Sequence, residues 1–191
     1  MVHAYLAGPD VFLPGAAALA AAKVEICARY GVVGRHPFSP EVAAMAALPA
    51  DLAWRGIYQA DIAMMRGCDV IIANLTPFRG ASADAGTLVE LGWFAGAGRP
   101  VFGYSNVAEG FAERSLAQVA AVADPLPGLV VEGFGLPDNL MIPGAVEYGG
   151  GLPVVLPPDG VSRAFDALDV FELCVARAAE RLRVMAGFIA R

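Results

Sequence analysis

Apolar positions along this chain alternate between short runs and longer segments rich in helix formers. Tyr5-Leu6-Ala7 continues an apolar start and then meets Gly8-Pro9-Asp10, which predicts a first strand ending in a turn. Ala16 to Tyr30 predicts a helix closed by Gly31, and Val32-Val33 a brief second strand before a loop over His36-Pro37-Phe38-Ser39-Pro40. A helix is expected from about Trp54 to Arg66, closed by Gly67. Asp69-Val70-Ile71-Ile72-Ala73-Asn74-Leu75 is the clearest strand, apolar on both faces as a central parallel strand should be. After a loop at Thr76 to Gly80, residues 84–97 read as a helix ending near Gly98, and Pro100 to Tyr104 as a strand. Residues 108–123 look helical, Leu129-Val130-Val131 reads as a last short strand, and Arg163 to Ile189 as a long terminal helix. The Gly- and Pro-rich stretch from Pro137 to Gly160 is expected to wrap the surface.

Strands that alternate with helices imply a doubly wound parallel α/β sheet of about five strands, with helices on both faces. Residues 1–191 then form one domain, a size that can bury a substantial core. Ligands of such folds bind beyond the carboxyl ends of the strands. Three loops leave those ends: Gly8 to Leu13, Thr76 to Asp84, and Tyr104 to Asn106.

Composition narrows the partners. Hydrophobic residues make up 57% of the chain and mean hydropathy is +0.57, values inflated by Ala and Gly. No run of eighteen or more apolar residues lacks a Gly, Pro or charge, so no membrane span is expected. The first residues carry no basic region ahead of their apolar stretch, which argues against a signal peptide and for a cytoplasmic protein. Net charge is −6, Lys23 is the single lysine, and nothing clusters basic residues. A polymeric nucleic acid needs a basic footprint, so a small, weakly charged substrate fits better. Cys27, Cys68 and Cys174 are too scattered for a disulfide framework or zinc site, and His3 and His36 cannot make a metal centre unaided. No metal is expected.

Carboxylates in apolar surroundings are the chemical signal. Glu90 has Gly86, Thr87, Trp93 and Phe94 as its helical neighbours, so no local ion pair accounts for its charge. It is either aimed at a site or an ordinary solvated Glu on a polar helix face. Asp61 lies among Ile57, Tyr58, Met64 and Met65, on a face that should be buried. It is either functional or an anchor for a neighbouring loop. Asp84 precedes Glu90 by six residues, roughly 600° of helix, so the two share a site only if Asp84 lies at or before the first helical residue. Ser82 and Asp84 are also good N-cap residues. Several carboxylates without a metal suggest acid–base or covalent glycosyl chemistry. Tyr5 could orient an ionised nucleophile through its hydroxyl, or simply pack in the core.

These segments together resemble the nucleoside 2-deoxyribosyltransferase family. Tyr5-Leu6-Ala7-Gly8-Pro9-Asp10-Val11-Phe12 looks like its opening strand and loop, and Asp61 through Met65-Arg66-Gly67-Cys68-Asp69 like its aspartate helix. Asp84-Ala85-Gly86-Thr87 with Val89-Glu90-Leu91-Gly92 is similar to its D-x-G-T-x-x-E-x-G signature, and Pro137-Asp138-Asn139-Leu140-Met141 resembles its D-N-L-M segment. The resemblance spans roughly residues 4–142 and implies a flavodoxin-like fold with no cofactor. It implies that Glu90 attacks C1′ of a 2′-deoxynucleoside, that Tyr5 positions Glu90, and that Asp61 and Asp84 bind the base, one of them relaying its proton. Gly8, Asp10 and Phe12 would line the substrate site. Asn139 would reach a neighbouring subunit's site, making the protein a homo-oligomer whose partners are a deoxynucleoside and a free nucleobase.

Three other readings stand beside it. One is a hydrolase of the same fold, a 2′-deoxynucleoside 5′-monophosphate N-glycosidase, whose phosphate grip Ser82 and Arg79 could supply. A second is the lysine decarboxylase-like phosphoribohydrolase group, whose P-G-G-x-G-T stretch is replaced here by Ser82-Ala83-Asp84-Ala85-Gly86-Thr87. The third is a non-catalytic nucleotide-binding regulator.

Overall fold

The computed structural model describes residues 1–37, 42, 44–45, 47–122 and 127–189; the end of the loop expected at Phe38-Ser39-Pro40 and residue 123 lie outside them. Four strands, β1 (Val2–Ala7), β2 (Val32–Arg35), β3 (Val70–Asn74) and β4 (Val101–Tyr104), make one parallel sheet in the order β2-β1-β3-β4. Their crossovers carry helices α1 (Ala16–Arg29), α2 (Ala50–Arg66) and α3 (Ala85–Gly96); α4 (Phe111–Ala121), α5 (Met141–Gly150) and α6 (Asp169–Ile189) follow. The chain order reverses beside β1, which creates the crevice where doubly wound sheets hold ligands.

Side chains two apart on a strand share a face. Ala4 and Leu6, Val70 and Ile72, and Phe102 and Tyr104 therefore pack beneath α1 and α6. Tyr5 and Ala7, Ile71 and Ala73, and Val101 meet Met65 of α2, Leu91 and Phe94 of α3, and Ile142 and Val146 of α5. That alternation decides which residues can reach the site, because it turns Tyr5 toward α3. Among the described residues no helix is long and apolar enough to cross a membrane.

Three expectations need correction. Leu129-Val130-Val131 forms no strand; Val130 is 89% exposed, and such a strand would have lacked a second layer to cover it. The fifth position of the sheet is instead a single bridge from Tyr104 to Val155. The Gly- and Pro-rich stretch contains α5, because Pro143 sits in the first turn, where a missing N–H breaks no helical bond. Gly150 then lets the helix press onto β4, since a Cβ there would lie 2.1 Å from the Val101 carbonyl oxygen. Finally, α6 begins at Asp169 rather than Arg163. The Asn106 amide donates to the carbonyls of Ala164, Phe165 and Ala167, holding those residues in a non-helical strap.

Candidate active site

Tyr5 is fully buried, and its hydroxyl donates a 2.6 Å hydrogen bond to Glu90 Oε1. The Tyr5 ring stacks on Phe94 with centroids 6.0 Å apart. Phe94 is one helical turn beyond Glu90, so one face of α3 delivers both the ring that fixes Tyr5 and the carboxylate that Tyr5 holds. Glu90 is thus neither in bulk solvent nor ion-paired. Burial pushes its carboxyl up to about 7; the Tyr5 hydrogen bond opposes that rise, and the charges of Asp61 and Asp84 add to it. The same burial and the Glu90 charge drive the Tyr5 phenol far above its ordinary value, so it remains a donor.

Asp61 faces this pair from α2. Its Oδ1 is buried and has no hydrogen-bond partner, so the loop-anchor alternative finds no support in its contacts. Burial raises its carboxyl to about 6. Asp84 is the N-cap of α3, with extended backbone, and its Oδ2 accepts from the Thr87 N–H at 3.1 Å and the Thr87 hydroxyl at 3.4 Å. Lying just before the helix, it escapes the angular separation that would otherwise part it from Glu90. It caps α3, and its charge also raises the Glu90 pKa. Three acids and a phenol therefore share one electrostatic cluster.

The remaining candidates divide by what they touch. Both oxygens of Asp10 have partners: one lies 2.5 Å from Lys23 Nζ, the other accepts from the Asn74 amide at 3.0 Å. Lys23 is almost fully buried, and burial lowers its pKa despite Asp10. Gly8 allows this closure, because a Cβ there would come within 2.7 Å of Asp10 Oδ2 and 2.8 Å of Asn74 Cβ. Phe12 is 59% exposed and stacks on Phe78 at 5.9 Å, which in turn meets Phe165 of the strap at 5.7 Å. Asn139 lies just before α5, its Oδ1 accepting from the Met141 N–H. Along with Phe78, Arg79, Asp84, Val119 and Val130 it lines a groove of about 1100 Å³. Glu90 and Asp61 lie outside that lining, and the groove meets the carboxylate cluster at Asp84.

Sequence reasoning missed the brace under this groove. Asp138 is buried and accepts from the Ser82 hydroxyl at 2.5 Å, the Ala83 N–H at 2.9 Å and the Asn139 N–H at 2.8 Å. Arg114 donates to the carbonyls of Ala81 and Pro137, and Gln118 accepts from the Ala81 N–H. Together they tie the loop that ends at Asp84 to the segment that begins at Asn139. Asp138 stood inside a recognised motif; Arg114 and Gln118 carried no local signal for this brace, since their partners in it lie 23 or more residues away in sequence.

Three comparisons bear on this arrangement. A 2-desoxiribosyltransferase from Leishmania mexicana is 30% identical, with a TM-score of 0.65 over 94% of this chain and 98% of that one. An uncharacterized protein of Schizosaccharomyces pombe is 32% identical over 168 residues, 79% of this chain and 80% of its own length. A conserved protein from Enterococcus faecalis shares the fold at 19% identity, with a TM-score of 0.52 over 93% of this chain and 98% of that one. Residues 4–141 match the family described as nucleoside 2-deoxyribosyltransferase, and with the acidic cluster falling inside that span, the chain belongs to this family.

Proposed function

We propose that the protein transfers 2-deoxyribose between nucleobases by double displacement through Glu90. The observation that carries this reading is the Tyr5–Glu90 hydrogen bond, formed within the field of two further carboxylates. Glu90 in its ionised form attacks C1′ with the oxygen that Tyr5 leaves free, forming a glycosyl ester as the C1′–N bond breaks. The electron pair goes to the departing base, whose nitrogen takes a proton from Asp61. A second base then attacks C1′, returns its proton to Asp61 and frees Glu90.

Asp61 suits the relay better than Asp84. Asp61 keeps a buried oxygen with no partner, free to pass a proton to and from the base, whereas Asp84 spends its Oδ2 on capping α3. Asp84 then contacts the base at the groove, and Phe12 packs beside it. Gly8 and Asp10 act by shaping the loop that carries Phe12. The homo-oligomer, with Asn139 contributed to a neighbour's sugar, is part of the proposal. Its support is that α3 and α5 leave Val89, Met141 and Tyr148 at least 70% exposed, apolar side chains that a neighbouring subunit could cover.

The test supplies a deoxynucleoside together with a different free base. Appearance of the exchanged nucleoside, lost in Glu90→Ala with the fold intact, supports transfer. Free sugar with no exchanged product would replace transfer by hydrolysis, and unchanged exchange in Glu90→Ala would remove the mechanism.

A further inference from the structure

The phosphate grip considered for Ser82 and Arg79 meets a clear division in the structure. Ser82 is occupied, because its hydroxyl donates to the buried Asp138. Arg79 is free. Its guanidinium lies 4.7 Å from the Phe12 centroid and 4.6 Å from that of Phe78, and among the described residues no carboxylate or carbonyl pairs with it. It is also the one non-glycine described residue with positive φ, at 57°. A turn that could have used glycine thus carries a long cation instead, set over two rings. The third ring, Phe165, comes from the strap, beyond the residues that match the family. Arg79 is the one cation among the residues that line the groove, and neither acid of that lining, Asp84 or Glu132, pairs with it.

We infer that Arg79, held by Phe12 and Phe78, is a specificity-determining residue that binds an oxyanion carried by the substrate. Guanidinium forks pair bidentately with phosphate or carboxylate, and stacking on rings fixes the fork's plane before the ligand arrives. Two positions on a deoxynucleoside can present such a group: a 5′-phosphate on the sugar or a carboxylate on the base. A groove of about 1100 Å³ has room for either beyond the sugar and base. The inference rests on the reading that the cluster around Glu90 acts on a bound deoxynucleoside.

The test measures binding to Glu90→Ala, which holds substrate without turnover, by calorimetric titration. The probes are thymidine and deoxyadenosine, their 5′-monophosphates, and the deoxynucleoside of a carboxylated pyrimidine. At least one oxyanion probe is expected to bind about 10-fold or more tightly than its uncharged counterpart. That preference should shrink about 10-fold on adding Arg79→Gln, persist in part in Arg79→Lys, and weaken with salt. The 5′-monophosphate and carboxylated arms identify which end of the substrate carries the charge. Equal binding of charged and uncharged probes, a preference that survives Arg79→Gln, or no binding of any probe overturns the inference. Anion preference without glycosidic cleavage by the unmodified enzyme would sink the function proposed above and leave Arg79's role standing; cleavage without anion preference would do the reverse.

Discussion

Tyr5 and Glu90 are 85 residues apart, yet the hydroxyl of one lies 2.6 Å from the carboxylate of the other. This bond lowers the Glu90 pKa, against burial and two neighbouring acids that raise it. The hydrogen bond therefore adjusts the fraction of enzyme with an ionised nucleophile near neutrality.

Tyr5→Phe removes that influence and should carry the Glu90 pKa above about 7. The acid limb of the kcat/KM profile is expected to move to higher pH, with a loss at pH 7 of roughly 10- to 100-fold from one charge-assisted hydrogen bond. Partial recovery at alkaline pH would mark the effect as ionisation; a uniform loss at every pH would count against it.

Asp61→Asn works in the opposite sense on Glu90. It removes a like charge, so the acid limb should shift to lower pH. It also removes the proposed proton donor, so substrates with poor leaving bases should slow far more than those with activated ones. Comparing kcat for two leaving groups of different basicity separates the two effects. Because the acids are coupled, the profile reports the cluster as a whole.

Glu90 should also cost the protein stability. Its carboxyl ionises near 4.5 in an ordinary setting and near 7 when folded. Between those values the folded chain holds a proton that the unfolded chain has lost, so stability falls as pH rises through that interval. Glu90→Gln removes this penalty and should stabilise the protein by about 1–3 kcal/mol above pH 7, with no gain below about pH 4.5. Thermal melts at pH 4.5 and pH 8 test it.

Asp138→Ala leaves the Ser82 hydroxyl and the N–H groups of Ala83 and Asn139 without their acceptor. A loss of about 2–4 kcal/mol is expected in denaturant unfolding, from buried donors left unpaired. Residual activity at low temperature should show a raised KM, since the brace aligns Asp84 with the groove.

A shared active site makes a separate claim. If Asn139 serves a neighbouring subunit, mixing Glu90→Ala with Asn139→Ala after unfolding and refolding should restore activity that neither variant has alone. A site built within one chain gives no rescue, because each subunit then carries a lesion of its own.

Local pattern was a good guide wherever one element determined the outcome. β3 is apolar on both faces because helices cover both, and its five residues are all buried as that pattern requires. Glu90 and Asp61 stand out because their helical neighbours offer no counter-charge, and the fold brings both to Tyr5, with Asp84 close enough to act on Glu90. What escaped notice depended on distant partners. The helical character of Met141–Gly150 was hidden because Pro143 and Gly150 signal breaks, yet one sits where no N–H is needed and the other where β4 leaves no room for a Cβ. The contacts of Asp10 with Lys23 and Asn74 have no local signal either, since only the fold brings the three together. The strap before α6 depends on one amide, Asn106, 58 residues upstream of its first partner.

The most direct measurement is intact-mass spectrometry after incubation with a slow 2′-fluoro-2′-deoxynucleoside, followed by peptide mapping. A mass increase equal to one fluorodeoxyribosyl group is expected, located on Glu90 and absent from Glu90→Ala. Base release from the same analogue with no adduct, or an adduct on any other residue, would contradict it.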